Sequence, residues 1–440
     1  MNGLPPLVFL ISSAMKVTAV FTVLMVAVAY TTLAERRVSA WIQDRIGPNR
    51  VGPGGLLQPI ADGIKNILKE ETLPGTAAKA FFILGPMISM IPALVTFAVV
   101  PFAAPLPTPW GVVPMIVADV PIGILYIMAL SSLGVYGLVL GGWASNNKYA
   151  VLGGLRASAQ MVSYEVALGL SLVTVLMLTG NVTLTEVIFQ QQRLQFWFIF
   201  PLSLAFILFV ISAFAETNRL PFDMPEAESE LVTGYHTEYS AMKFSMFFIA
   251  EYAHLITQSA LMATLFLGGW DIPFWHGDDA FFFQGQWIRG FDAAGAPLAA
   301  QLAWWKTLLT LGAFALKTGF FVLVFIWVRW TLPRFRYDQV MQLGWKVMLP
   351  TSLAYAMVIA GSVLALDEVG VPFGFRYGLI LTGVSLVATV MFTFWLDRDR
   401  IIGGASHPAR RPLPPRMLSV DVPSPRSGDA SRLPAGTTGD

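Results

Sequence analysis

Cysteine is absent from this sequence, which excludes disulfides, thiolate zinc sites and any iron–sulfur cluster held by thiolates of this chain. Histidine is nearly as scarce. His236, His254, His276 and His407 are scattered along the chain, and neither haem nor a metal ion is expected on them. Charge is sparse as well: 12% of residues are charged against 55% hydrophobic, where a soluble domain is typically about a quarter charged, and the mean hydropathy is +0.64. A formal net charge of +1 leaves no global field to draw the chain to nucleic acid, so electrostatic arguments must be local. No internal repeat marks an inverted-repeat transporter. No basic region precedes the first apolar stretch and no small-residue cleavage pattern follows it, so no removable signal peptide is expected.

What the sequence has in abundance is apolar stretches long enough for a bilayer, which needs ~20 apolar residues per helix. They fall at roughly 10–33, 80–101, 114–140, 157–179, 196–215, 242–267, 304–328, 345–366 and 377–396. The expected fold is therefore all-α: a polytopic transmembrane bundle over 1–402, followed by a disordered tail over 403–440 rich in Pro, Ser, Gly and Arg. All but six of the 28 lysines and arginines lie in one set of alternate loops and the tail, the exceptions being Lys16, Arg193, Arg289, Lys306, Lys317 and Arg376. Because Lys and Arg accumulate on the inner side of a membrane, the loops 34–79, 216–241 and 329–346 and the C-terminal tail are expected to be cytoplasmic and the N-terminus outside. The outer loop 268–303, with Trp270, Trp275, Phe281 to Phe283 and Trp287, is expected to lie on the membrane surface.

The run Val17 to Ala34 carries no charge and is followed at once by "AERRVSAWIQDRIGPNRVGPGG". Beyond Glu35, Val38, Trp41, Ile42 and Ile46 recur at helical spacing opposite Arg37, Asp44 and Arg45. After the Gly/Pro turn, Leu57, Ile60, Ile64, Ile67 and Leu68 oppose Asp62, Lys65 and Lys69. Two short amphipathic helices lying flat at the interface are expected. Glu35 and Arg36, an acid and a base at the membrane mouth, are read as a pair able to meet a polar head group.

Ionisable residues inside a membrane cost about 2.5–3.5 kcal/mol each, so they pair or line a cavity. Asp119, Glu165, Glu251 with His254, and Lys317 fall within apolar stretches. Glu251 and His254 are three apart, hence on one helix face, while Lys317 either pairs with a carboxylate or snorkels outward. Glu216 opens "ETNRLPFDMPEAESELVTGYHTEYS", which adds Asp223, Glu226, Glu228, Glu230 and Glu238 against one arginine, Arg219. Clustered carboxylates cannot all ionise, and desolvation favours their protonated forms, so this chain of acids reads as a proton route. A third constellation, "VRWTLPRFRYDQVMQLGWK", supplies Arg329, Arg334, Arg336, Asp338 and Lys346 and reads as a docking surface.

Four long motifs, in this order, carry a resemblance: "AERRVSAWIQDRIGPNRVGPGGLLQPIADGIK", "ETNRLPFDMPEAESELVTGYHTEYSAMKF", "AEYAH" and "LPRFRYDQVMQLGWK". From about Leu7 to Leu366 the chain resembles the quinone-tunnel membrane subunit of respiratory complex I, the proton-pumping NADH:quinone oxidoreductase. The resemblance implies an eight-helix core, to which the stretch 377–396 adds a ninth, and a location in the cell inner membrane. It implies a non-redox subunit of an enzyme, with no complete active site, no catalytic residue and no metal or cofactor of its own. Ubiquinone or menaquinone would be substrate, with FMN and iron–sulfur clusters in partner subunits. The implied partners are the quinone-site subunits of the hydrophilic arm and adjacent small membrane subunits. It places Glu35, Arg36, Arg45, Asp62, Lys65 and Glu228 by the quinone tunnel. Glu165, Glu216, Asp223, Glu226, Glu228, Glu230 and Glu251 fall on the proton route, and Arg219, Arg329, Arg334, Arg336 and Asp338 at docking loops. Two alternatives stay open: the membrane anchor of an energy-converting hydrogenase, which uses no quinone, and a stand-alone proton or cation transporter.

Overall fold

The computed structural model describes residues 5–272, 281–283, 286–288 and 303–397. Helix α1, Pro6–Ile42, is followed by α2, Gln58–Leu68, and α3, Lys79–Val95, which a short 3₁₀ turn prolongs to Val99. A small antiparallel hairpin comes next, β1 Leu106–Thr108 with β2 Gly111–Val113. The helices α4 Gly123–Ala144, α5 Lys148–Thr179, α6 Leu184–Leu194, α7 Ser203–Glu216, α8 Glu228–Leu231 and α9 Ala241–Phe266 come after it. A second hairpin pairs β3, Phe281–Phe283, with β4, Gln286–Ile288. The chain continues through α10 Trp304–Thr331, α11 Tyr337–Gln342, α12 Leu349–Glu368 and α13 Phe375–Asp397.

Seven of these helical segments are long and apolar enough to cross a membrane: Pro6–Ile42, Lys79–Val99, Gly123–Ala144, Lys148–Thr179, Trp304–Thr331, Tyr337–Glu368 and Phe375–Leu396. Helix α9 has the length, at 26 residues. Helix α7 is apolar but only 14 residues long, about 21 Å at 1.5 Å per residue. Non-helical backbone, mostly buried or half-buried, flanks it on either side. The chain is thus an all-α polytopic membrane bundle, and each apolar stretch of the sequence corresponds to one of these helices.

Local sequence sets the helix boundaries. Pro114 and Pro121 keep the third stretch from turning helical before Gly123, so Asp119 sits in a loop rather than in a span. Pro201 delays α7 in the same way. Helix α5 begins nine residues earlier than its apolar stretch, because the Asn147 side chain accepts a hydrogen bond from the Tyr149 backbone N–H at 3.0 Å, a polar N-cap. It ends at Gly180 in the left-handed region. Helix α1 runs unbroken past Glu35 to Ile42, so the first of the two expected flat helices is the end of the first span. The second, α2, is separate and amphipathic, and none of its residues is buried.

Close helix packing rests on small residues. A Cβ on Gly137 of α4 would collide with Ser89 of α3. Beside this contact the Phe82 and Tyr239 rings stack at 4.0 Å, and the Tyr239 hydroxyl donates to the Phe82 carbonyl at 3.1 Å. Between α11 and α12 the backbone widens into a π-helical turn, Leu343–Met348. There Gly344 packs against Ser163 and Tyr164, and the Tyr164 hydroxyl donates to the Val340 carbonyl at 2.9 Å. Lys317 of α10 does not reach outward: its ammonium donates to the carbonyls of Leu267, Gly269 and Asp271 at 2.6, 3.0 and 2.5 Å, gripping the end of α9.

The chain divides into a main unit, Met1–Thr389, and a second one from Val390. In the second the described residues are the last turns of α13, where the Phe392 and Trp395 rings stack at 6.3 Å. The tail 403–440 and most of the loop 268–303 lie outside the described residues. Trp270, expected at the membrane surface, is buried.

Candidate functional site

Helix α1 carries Glu35 into the protein and leaves Arg36 outside. Consecutive helical residues lie about 100° apart, so Glu35 and Arg36 cannot face each other, and the pairing expected of them is replaced by two separate ones. Arg36 Nη1 lies 2.7 Å from Asp62 Oδ2 of α2. Asp62 also accepts from Gln58 Nε2 at 3.1 Å and has Lys65 Nζ 3.9 Å away. Arg37 donates to the Gly54 carbonyl in the Gly/Pro turn. Successive arginines at the end of the first span therefore hold the turn and α2 in place. Arg45 stays exposed, bonded to Gln43 at 2.7 Å.

Glu35 is 5% exposed and Arg219 3%. Arg219 Nη1 lies 3.2 Å from Glu35 Oε2, and its Nε lies 2.7 Å from Glu251 Oε1. The Tyr252 hydroxyl donates to Glu35 Oε2 at 2.6 Å, while the Tyr252 ring lies under the Arg219 guanidinium at 4.2 Å. Arg329, from the last turn of α10, also donates to Glu35. Two carboxylates and two guanidiniums are balanced in a buried cluster, the condition under which such charges are tolerated. Arg219, expected at a docking surface, is turned inward because only there does it meet two anions.

Glu216 closes α7. Its Oε1 accepts from the Ser131 hydroxyl of α4 and its Oε2 from Gln258 Nε2 of α9 at 2.8 Å. Glu165 of α5 makes no hydrogen bond or ion pair among the described residues, but it is close enough for its charge to act on Glu216. Glu216 borders a small cavity of about 40 Å³, shared with Glu226, Glu251, His254, Tyr235 and Asn218. Glu251 and His254, expected on one helix face, both reach this cavity.

The acidic segment is folded tightly onto the bundle. Gln160 of α5 donates Nε2–H to the carbonyls of Ala215 and Phe222, each at 2.7 Å, and contacts Asn218 Oδ1 at 3.1 Å. Gly234 adopts a positive φ where any Cβ would strike the Pro225 carbonyl, so only glycine lets the segment double back beside Glu226. Asp223 pairs with Arg334 at 2.8 Å, and Glu230 pairs with Arg156 at 2.6 Å. Burial raises the Glu226 carboxyl to about 8, with the charges of Glu251 and Asp223 adding to it. Burial also raises Asp223, to about 6, against the pull of Arg334. His236, whose Nδ1 lies 3.9 Å from Glu226 Oε1, is lowered to about 4 by burial and is neutral at pH 7.

The structure therefore gathers Glu35, Arg219, Glu251 and Arg329 into one cluster. It places Glu216, Glu226 and Glu251 around one cavity, Asp223 with Arg334 at its flank, and Arg36, Asp62 and Lys65 at α2. Arg336 and Asp338 remain exposed at the start of α11, and the side chain of Glu228 lies outside the described residues. Sequence reasoning missed Ser131, Gln160, Tyr252 and Gln258. Tyr252 stood inside "AEYAH", beside Glu251. Ser131, Gln160 and Gln258 are uncharged polar residues in apolar helices, a signal too common to single out without the fold.

With this geometry in view, similarities to known proteins become informative. Residues 15–360 match the NADH dehydrogenase family. The chain is 46% identical to an H subunit of NADH-quinone oxidoreductase from Cytophaga hutchinsonii over 359 residues, which are 82% of this chain and 98% of that protein. It is 47% identical to the H subunit of NADH-quinone oxidoreductase from Leptospira biflexa over 352 residues, 78% of this chain and 92% of that one. It is also 47% identical to NADH-ubiquinone oxidoreductase chain 1 of Chondrus crispus over 359 residues, 82% of this chain and 99% of that one.

Proposed function

The chain belongs to the NADH dehydrogenase family, and we propose that, as a membrane subunit of NADH:quinone oxidoreductase, it borders the path by which quinone reaches the enzyme and couples quinone reduction to proton movement. The relatives are named for quinone as the electron acceptor, which favours this reading over the anchor of a hydrogenase, where protons accept the electrons. The observation that carries it is a cavity shared by Glu226 of the acidic segment and by Glu216 and Glu251 of the helices. A proton-accepting group in a loop and carboxylates at membrane depth can exchange charge across such a space without crossing lipid.

The chain has no thiolate to hold an iron–sulfur cluster, and in this reading the electrons arrive on quinone from a neighbouring subunit. Quinone enters past the end of α1 and over α2, where Arg36, Asp62 and Lys65 sit. Reduction draws protons from nearby donors, the balance of charge around Asp223, Glu226 and Glu251 changes, and Glu216 responds. The basic loops face the cytoplasm in the inner membrane, and the exposed Arg336 and Asp338 at the start of α11 meet the hydrophilic arm. A photoreactive quinone analogue tests the entry path in the intact assembly: labelling within residues 34–69, competed by quinone, supports it, and labelling of other subunits alone contradicts it.

A further inference from the structure

Glu216 is held unlike the arginine-paired carboxylates of the site. Glu35, Glu251 and Asp223 each face an arginine, at 3.2, 2.7 and 2.8 Å. Arginine does not release its proton in proteins, and it favours the ionised form of its partner. No cation bonds to Glu216 among the described residues. Its two oxygens meet a hydroxyl, from Ser131, and an amide, from Gln258. Both partners are buried.

A hydroxyl both donates and accepts, and a Gln amide has a donor at one end and an acceptor at the other. Rotating the amide by half a turn exchanges the two. Gln258 Oε1 is buried without a hydrogen-bond partner, so that rotation breaks no second bond. We propose that Gln258 and Ser131 are positioning residues that serve Glu216 in both protonation states, donating to its carboxylate and accepting from its carboxylic acid.

Glu216 then takes a proton from an acid bordering the same cavity, such as Glu226, which is left as the carboxylate. The amide turns its oxygen toward the new O–H, and release reverses each step. Neither step breaks an ion pair or moves the backbone. The other titratable groups facing Glu216 or its cavity are Glu165 from α5, Tyr235 from the acidic segment, and Glu251 and His254 from α9. The inference rests on the coupling role proposed above for Glu216.

The test uses the intact assembly, with NADH oxidation by an artificial acceptor measured to count assembled complexes. Infrared difference spectra during turnover assign the carboxylic-acid band of Glu216 by its loss in E216Q. In Q258K a fixed cation holds Glu216 ionised. The band should vanish and quinone turnover per assembled complex should fall about tenfold or more, one pH unit of lost protonation being a factor of ten. In Q258M and in S131A the band should persist but move in frequency, because one hydrogen-bond partner is gone. A residue with only a packing role would lower assembly and leave the band where it is. Wild-type turnover in Q258K, or an unmoved band in S131A and in any assembled Q258M, overturns the proposal. If E216Q itself keeps coupled turnover and loses no band, the coupling role fails instead.

Discussion

Arg219 Nη1 lies 3.2 Å from Glu35 Oε2, although 184 positions separate the two residues. The first span and the acidic segment are thereby locked together through a guanidinium that also touches Glu251. Removing one member of a buried ion pair costs about 3–5 kcal/mol, because it leaves an uncompensated charge. R219M should therefore lower the thermal midpoint of the assembly and its yield, and E35Q added to R219M should recover part of the loss. A double-mutant cycle on thermal unfolding checks this.

Arg36 and Asp62 behave otherwise. Their side chains are 49% and 25% exposed, and exposed pairs contribute about 0–1 kcal/mol. R36A should leave the thermal midpoint nearly unchanged. Because the pair holds α2 against the end of α1, R36A should raise KM for quinone more than it lowers kcat, which steady-state kinetics with a short-chain quinone will show.

Glu226 gives stability a pH dependence of predictable sign. Its carboxyl titrates near 8 in the folded protein instead of at its ordinary 4.5, so between these values the folded state binds more protons than the unfolded one. Stability falls as pH rises through this window. Asp223, raised to about 6, acts in the same direction at lower pH, and His236, lowered to about 4, acts oppositely only below about 6.5. From pH 6.5 to 8.5 the thermal midpoint should decline, and E226Q should flatten that decline.

How much of this was legible beforehand follows from what each signal depends on. Apolar length marked the helices because a bilayer imposes it, and Pro114, Pro121 and Pro201 explain the boundaries that moved. Buried carboxylates announced themselves by their cost: Glu216 and Glu251 stood out because an apolar run seldom carries them. Their partners did not. Adjacency in the sequence suggests Arg36 as the partner of Glu35, whereas helix geometry sends them apart and the fold brings Arg219 from the far loop. Ser131 and Gln258 were illegible because their importance comes only from facing Glu216. The turn at Gly234 was hidden for a similar reason, since the collision that demands glycine is with Pro225, nine positions earlier.

The most direct test of the coupling role replaces Glu216 with Gln in membranes carrying the whole assembly. NADH:quinone turnover and proton translocation are recorded beside NADH oxidation by an artificial acceptor that bypasses the quinone site. Turnover and translocation should collapse while the artificial-acceptor activity persists. Unchanged turnover and translocation would contradict the coupling role and make Glu216 a structural carboxylate.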